Sequence, residues 1–400
     1  MPQHRPTILQ IIPRLDIGGA ERTTVEITEA IVAAGGRALV VAEGGRLVPQ
    51  IKQAGGEFIA MDAASKNPLT ILGNVRKLQR LIAQENVDLL HARSRAPAWS
   101  ALMAARRTQK PFVTTYHGAY SVNGYLKRTY SSIMARGDVV IANSNYIADT
   151  IRSHFGTSEA RMRIIFRGID DGFDPDRVSA DRVERLRAAW GVQPDQRVIL
   201  HAARMTTRKG QSVLIAAAAA IASQASSSSP DDWVVILAGD QGGRNDYIED
   251  LKRQIQAAGL QDRVRLVGRV DDMPAAYLAA QVAIAASSEP EAFGRVAAEA
   301  EAMRCPVIAT RIGGAPEAVR AEPQFGPDEM TGWLVPPGDV DALVEKLRIA
   351  LHLSEEQRAA IGDRARRFVT QSFTLAAMQQ ATLRVYDELL GTQLANRAGS

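Results

Sequence analysis

The sequence predicts an α/β protein made of two doubly wound parallel sheets, and three observations carry that prediction. Short apolar runs of strand length alternate with helix-period segments from Thr7 onward, the pattern of a parallel sheet with helical crossovers. The alternation stops in a charged, turn-rich stretch around Asp171-Gly172-Phe173-Asp174-Pro175 and starts afresh at Val198. Several strand runs end in glycine-rich or charged turns that feed a helix, the place where such sheets hold ligands. The 400 residues are 46% hydrophobic but only 5% aromatic, which suits two or three domains with aliphatic cores. The boundaries expected are a first domain over 1–172, a linker over 173–196, a second domain over 197–370, and a terminal segment over 371–400.

Composition excludes several classes. A net charge of +4 is modest, and neither zinc-ligand spacing nor an RNA-binding signature is present, so nucleic acid is not an expected partner. The single cysteine, Cys305, excludes an intramolecular disulfide and suits a reducing compartment. It precedes an apolar run and reads as a small core residue. Met1 to Pro6 is polar, and Ile8 to Ile12 is too short for a signal-peptide core. No apolar run reaches the ~18 residues of a membrane span. A cytoplasmic protein is expected.

Thr7 to Ile12 is the first strand. Gly18-Gly19 follows, then a helix with apolar positions at Val25, Ile27, Ile31 and Val32. Strand, glycine pair and helix form either a phosphate-compatible nest or simply a tight turn. Strands are expected at 38–42, 57–61, 87–91, 111–116, 138–142 and 161–165. Helices are expected at 71–84, 98–107, 126–135 and 146–155, the last capped by Asn143-Ser144-Asn145. Between Asp88 and Asp138 there is no acidic residue, while Arg93, Arg95, Arg106, Arg107, Lys110, Lys127, Arg128 and Arg136 are interleaved with tyrosines. Such a segment is either a solvated basic face or a surface for anionic lipid headgroups or an acidic acceptor. His117 stands at the carboxyl end of a strand beside Gly118, as a substrate-facing or a structural histidine.

The second series runs strand 198–202, loop 203–210, helix 211–223, a flexible loop at Ser226 to Asp232, strand 233–238, helix 247–258, strand 264–268 and helix 275–280. Then comes the strand Val282 to Ala286 and the stretch Ser287 to Ala300. Here Glu291 and Glu299 bracket Phe293-Gly294, with a helix expected from near Phe293. Glutamates at this spacing are commonly solvated, but these sit among Ala292, Ala298, Ala300 and Ala302 rather than in a charged stripe. A strand follows at 307–310, then the turn Gly313-Gly314, a loop over Gly332 to Asp339, a helix from Val340 to Leu351 and a last helix from about Leu375 to Leu390. Arg204 and Lys209 share one strand-to-helix loop and suit a pyrophosphate. A carboxylate such as Glu299 accepts from two vicinal ribose hydroxyls, and Glu291 suits hydroxyls of a second sugar. The ligand so described is a nucleoside diphosphate sugar.

These residues resemble the retaining glycosyltransferases of family 4. The resemblance is carried by Gly18-Gly19-Ala20-Glu21-Arg22, Ala203-Arg204 through Lys209-Gly210, Glu291-Ala292-Phe293-Gly294 through Glu299, and Gly332 through Asp339, nearly the whole chain. It implies the GT-B fold: two Rossmann-like domains facing across a cleft, the second holding the nucleotide, the first the acceptor, and the last helix crossing back. It implies catalytic roles for His117, Arg204, Lys209 and Glu291. The donor is expected on Gly18, Gly19, Arg204, Lys209, Arg269, Val270, Glu291, Ala292, Phe293, Gly294, Val296 and Glu299. Arg93, Arg95, Arg106, Arg107, Lys127 and Arg128 are expected to form an acceptor or membrane face, with peripheral contact at the inner membrane. Arg167-Gly168 departs from the family, which has Asn before the glycine, and is read as a turn residue. The expected reaction moves a hexosyl group, mannose or glucose, from a GDP- or UDP-sugar to a glycan or glycolipid in lipopolysaccharide core or other cell-envelope synthesis. It should proceed with retention and without a metal or other cofactor. The rival readings are a nucleotide-sugar epimerase on a similar fold and a non-catalytic nucleotide-sugar binder.

Overall fold

The computed structural model describes residues 5–16, 18–120, 124–223, 232–240 and 242–397. The chain divides into two compact units, one of residues 1–168 with 375–400, the other of 169–374.

Unit 1 runs β1 (Thr7–Ile11), α1 (Gly19–Ala33), β2 (Arg37–Ala42), α2 (Val48–Gln53), β3 (Glu57–Ala60), α3 (Pro68–Gln84), β4 (Leu89–Ala92), α4 (Arg95–Thr108), β5 (Phe112–Tyr116), α5 (Tyr125–Ser131), β6 (Val139–Ala142), α6 (Asn145–Phe155) and β7 (Met162–Ile164). The seven strands are parallel, in the order β3-β2-β1-β4-β5-β6-β7. The central strands β1, β4 and β5 are buried throughout, as continuous apolar strands covered on both faces must be. Asn67 caps α3 by accepting from Leu69 N at 2.9 Å, and Ser144 caps α6 by accepting from Ile147 N at 3.1 Å.

Unit 2 runs α7 (Ala180–Ala189), β8 (Arg197–Ala202), α8 (Gln211–Ser223), β9 (Trp233–Ala238), α9 (Asn245–Ala257), β10 (Val264–Gly268), α10 (Met273–Ala279), β11 (Val282–Ala285), α11 (Arg295–Ala302), β12 (Val307–Thr310), α12 (Ala315–Ala318), β13 (Gly332–Val335), α13 (Val340–Leu351) and α14 (Glu355–Ser372). Its six parallel strands lie in the order β10-β9-β8-β11-β12-β13. Asp339 caps α13, accepting from Ala342 N at 2.9 Å. After unit 2 the chain returns to unit 1 as α15 (Leu375–Leu390) and α16 (Leu394–Arg397). There Met378, Leu383, Tyr386 and Leu394 pack in the same core as Ile8, Ile27 and Leu89.

Both units are α/β with wholly parallel sheets, as the alternation of strand and helix signals predicts. Three elements of unit 2 differ from expectation. Residues 173–196 are not a separate linker but part of unit 2. The helix α7 within them buries no residue and is fastened by charge, with the Arg182 guanidinium donating to both Asp272 carboxylate oxygens at 2.9 and 2.7 Å. Residues 332–335, expected as loop, form the edge strand β13, paired to β12 from Gly332↔Val307 to Val335↔Thr310. The 18-residue α14 was not expected, because its charged sequence carries no strong apolar stripe. It starts in a capping box, Ser354 with Gln357. The flexible loop expected at Ser226 to Asp232 falls, apart from Asp232, outside the described residues. Among the described residues no helix is long and apolar enough to cross a membrane.

Candidate functional site

In an open parallel sheet, ligands bind beyond the carboxyl ends of the strands, where the strand order reverses. Unit 1 reverses between β1 and β4, and unit 2 between β8 and β11. Of the residues singled out by the sequence, Gly18 and Gly19 follow β1, Arg204 and Lys209 follow β8, and Glu291 follows β11, at these two switch points.

In unit 2 the loop after β8 carries Arg204, Arg208 and Lys209, and closes with one 3-10 turn over Thr207–Lys209. It is held against the loop after β11, where Ser288 N donates to the Arg208 carbonyl at 2.9 Å. Gly210 makes the approach possible. Its φ is +76°, and a Cβ there would lie 1.9 Å from the Ala286 carbonyl oxygen. Lys209 Nζ lies 2.7 Å from Glu291 Oε2, the two side chains being 18% and 30% exposed. The other Glu291 oxygen accepts from the Ser287 hydroxyl. Gly314 N donates to the Glu291 carbonyl at 2.8 Å, so the β12 turn braces the same residue. Glu299 sits one turn into α11, nearly buried, accepting from Arg295 Nε and, at 3.3 Å, from the Tyr277 hydroxyl. No side chain caps α11 at Gly294, which leaves its first N–H groups without a side-chain cap partner.

Other expected donor residues are placed differently. Arg204 is exposed. Arg269 is exposed too, and its guanidinium engages Asp271 at 2.6 Å. Val270 and Val296 are half-buried. Phe293 is buried, with its ring edge-on to Phe373 at 5.1 Å, so that ring belongs to the core rather than to a ligand surface. Ala292 and Gly294 are buried beside it.

In unit 1, Gly18 and Gly19 begin α1, and a Cβ at Gly19 would meet nothing within 4 Å. His117 follows β5, and its Nε2 is buried with no hydrogen-bond partner among the described residues. Burial, with the guanidiniums of Arg93 and Arg167 nearby, holds this imidazole well below its usual range and so neutral. Arg93 corrects the sequence reading: it is 1% exposed and belongs to no basic face. Its Nε donates to Gln10 Oε1 at 2.8 Å. Arg167 is a second correction. Rather than serving a turn, its Nη1 donates to the Gly19 carbonyl at 2.6 Å, and its Nη2 lies 3.2 Å from Glu26 Oε2.

Arg95 is also withdrawn from solvent, with its guanidinium 4.2 Å from the centre of the Tyr120 ring and Nη1 3.1 Å from Ser131 Oγ. Arg106 pairs with Asp138 at 2.8 Å, and Arg128 donates to the His154 carbonyl at 2.8 Å. Arg107 is exposed at the end of α4, and Lys127 and Arg128 are exposed next in the chain to Tyr125 and Leu126, which are 82% and 81% exposed. Sequence reasoning missed Gln10, Glu26, Tyr277, Ser287 and Arg295. Of these Glu26 and Arg295 carried a local signal, the i,i+4 spacings to Arg22 and to Glu299.

A family model described as glycosyl transferases group 1 matches residues 182–368, and one described as glycosyltransferase family 4 matches residues 17–173. A solved glycosyltransferase from Rickettsia africae is 32% identical, with a TM-score of 0.86 over 97% of this chain and all of that one. The Anabaena protein HepE, solved in complex with UDP and glucose, shares the fold at 24% identity and a TM-score of 0.82, over 96% of this chain and all of HepE. A D-inositol 3-phosphate glycosyltransferase of Kineococcus radiotolerans is 28% identical over 331 residues, 79% of this chain and 74% of its own. A sulfoquinovosyl transferase of Arabidopsis thaliana is 28% identical over 313 residues, covering 75% of this chain and 56% of that one. Two parallel-sheet Rossmann-like units with these likenesses define a glycosyltransferase of the GT-B type. Its two matches fall one in each unit, and the chain belongs to glycosyltransferase family 4.

Proposed function

We propose that the protein is a retaining hexosyltransferase using a nucleoside diphosphate sugar as donor and a glycan or glycolipid as acceptor. The observation that carries this is the unit 2 switch point, where the Lys209 ammonium, the Glu291 carboxylate and the start of α11 with Glu299 converge. In this reading Arg204 and Lys209 take the diphosphate, Glu299 the ribose and Glu291 the transferred sugar. Negative charge develops on the departing diphosphate, and preorganised cations stabilise it. Glu291 is engaged by Lys209 and Ser287, which suits holding sugar hydroxyls better than attacking an anomeric carbon. Attack by the acceptor hydroxyl on the face the leaving group departs from then gives retention, with the leaving phosphate oxygen accepting the hydroxyl proton. The cations make a metal unnecessary. His117, neutral, presents a buried nitrogen beyond the carboxyl end of β5 for a sugar hydroxyl.

The named relatives act on an inositol phosphate and in sulfoquinovosyl transfer. A polar headgroup acceptor is therefore the class to test first, with cell-envelope glycan synthesis as its setting. The exposed Tyr125-Leu126-Lys127-Arg128 segment supports peripheral contact with an anionic membrane. Labelled UDP- and GDP-hexoses, with and without a lipid-extract acceptor, test the whole reading. Transfer only with acceptor, surviving EDTA and falling ~10²-fold or more in kcat/KM for Lys209→Ala, is expected. Donor conversion without acceptor, or binding without turnover, would replace it.

A further inference from the structure

We infer that His201 is a positioning residue whose imidazole sets the Lys209 loop for the donor diphosphate, which rests on the reading of that loop proposed above. His201 is the fifth residue of β8, follows Val198, Ile199 and Leu200, and is 1% exposed. A buried polar ring in an aliphatic strand calls for a partner. It has one, since Nε2 lies 2.8 Å from the Lys209 carbonyl oxygen. A carbonyl only accepts, so the proton is on Nε2 and the ring donates. Burial pushes the imidazole down to about 4, so it is neutral and its Nδ1 is bare. That nitrogen is buried with no partner among the described residues. An aliphatic side chain would leave no nitrogen unsatisfied. The one thing it would lack is the donor to Lys209.

The carbonyl is well placed to matter. Gly210, next in the chain, is pressed against the Ala286 carbonyl, and the Arg204 carbonyl accepts from Gln211 Nε2 at 3.0 Å. Gln211 Oε1 accepts in turn from the Tyr247 hydroxyl at 3.1 Å. The loop is thus fastened at Arg204, at Arg208 by Ser288 and at Gly210, the Lys209 N–H donates to the Thr206 carbonyl at 2.9 Å, and His201 holds the second of the two peptide planes that flank Lys209, through its carbonyl. Losing that bond leaves this peptide held only by the 3.4 Å bond from Gly210 N to the Thr207 carbonyl, so that it tilts and carries the ammonium away from its place opposite Glu291. A cation displaced by about an ångström gives up its short charge-assisted hydrogen bond to a bound anion.

The test uses His201→Gln, which keeps an N–H near the Nε2 position, His201→Asn, whose amide falls short of the carbonyl, and His201→Leu, which removes the donor. Calorimetry gives the affinities of the full chain for UDP and UMP, with GDP and GMP in parallel. The readout is the ratio of diphosphate to monophosphate affinity. A substitution that only loosens the fold weakens both ligands and leaves that ratio alone. The ratio is expected to fall about tenfold in His201→Asn and His201→Leu, and to stay within about twofold of wild type in His201→Gln. Lys209→Ala should lower it at least as far. If His201→Leu fails to fold, the Gln and Asn pair decides. An unchanged ratio in His201→Asn, or an equal fall in the Gln and Asn variants, overturns the role of His201. A ratio unchanged in Lys209→Ala, or a wild-type protein that does not separate diphosphate from monophosphate with either base, overturns the reading of the loop itself.

Discussion

Replacing Arg167 by Met keeps its length and removes its charge and donors, leaving Glu26 buried without its inner partner. The two side chains are 5% and 2% exposed, so the pair is shielded from solvent and salt. Glu26 retains Arg22 at 3.4 Å, but that guanidinium is 35% exposed and interacts through a more watery path. Removing one member of a buried pair costs about 3–5 kcal/mol, and the surviving Arg22 argues for the lower end. At about 1.4 kcal/mol per decade, 3 kcal/mol is roughly a hundredfold in the unfolding equilibrium of unit 1. A melt of the whole chain would blend two units, so the assay is amide hydrogen exchange resolved by peptide. The slowest amides of α1 should exchange about a hundredfold faster in the variant, while those of β8 and β9 keep their wild-type rates. Adding Glu26→Gln should restore about 2 kcal/mol, because a neutral amide no longer demands a guanidinium. An acceleration below about fivefold, which is about 1 kcal/mol, would refute the view that this pair holds the β1–α1 turn.

Three further outcomes follow from the same geometry. Gly210→Ala places a Cβ against the Ala286 carbonyl at a φ of +76°, and should destabilise unit 2 by about 2–4 kcal/mol, speeding hydrogen exchange of the slowest β8 and β9 amides; unchanged exchange would show that the loop is not pressed there. His201 titrates near 4 in the fold against 6.5 normally, so between those values the unfolded chain binds more protons. Stability is therefore full above about 6.5 and lost as pH falls toward 4, by up to about 3 kcal/mol, and His201→Gln should flatten that slope in denaturant titrations of unit 2; equal slopes would count against it. Tyr125→Ala with Leu126→Ala should cut binding to phosphatidylglycerol vesicles at least about tenfold in a sedimentation assay, since each buried side chain contributes about 1.5–3 kcal/mol. Equal pelleting of variant and wild type would leave that face merely solvated.

The elements legible in the sequence were those whose signal is local. Strands such as Thr7–Ile11 and Trp233–Ala238 are buried end to end, so they read as unbroken apolar runs. Helix α13 was legible because Asp339 announces its start. Helix α7 was not, because its attachment is the Arg182–Asp272 pair, 90 residues apart in sequence. The candidate site divides along the same line. Lys209, Glu291 and Glu299 lie on strand-end loops and a helix start, whose chemistry shows in neighbouring residues. Arg93 and Arg167 look like any arginine in a basic segment, and only the folded chain reveals them as buried. Their partners Gln10 and Glu26 lie on β1 and α1, far away in sequence.

The two units share a topology but secure their switch points by different means. In unit 2 the loops are fixed mainly by main chain against main chain: Gly210 on Ala286, Gly313 on Glu291, Ser288 on Arg208. Such contacts tolerate no added carbon, yet they leave the charged side chains of Lys209 and Glu291 partly open to a ligand. In unit 1 the equivalent place is filled by side chains, with Arg93 on Gln10 and Arg167 on Glu26 and Gly19. Among these buried groups two guanidiniums face one carboxylate, and burial, with their field added, keeps His117 neutral. A neutral imidazole can accept from or donate to a hydroxyl, whereas an imidazolium could only donate. In the proposed reading, His117 of unit 1 therefore suits an uncharged polar group and Lys209 of unit 2 an anion.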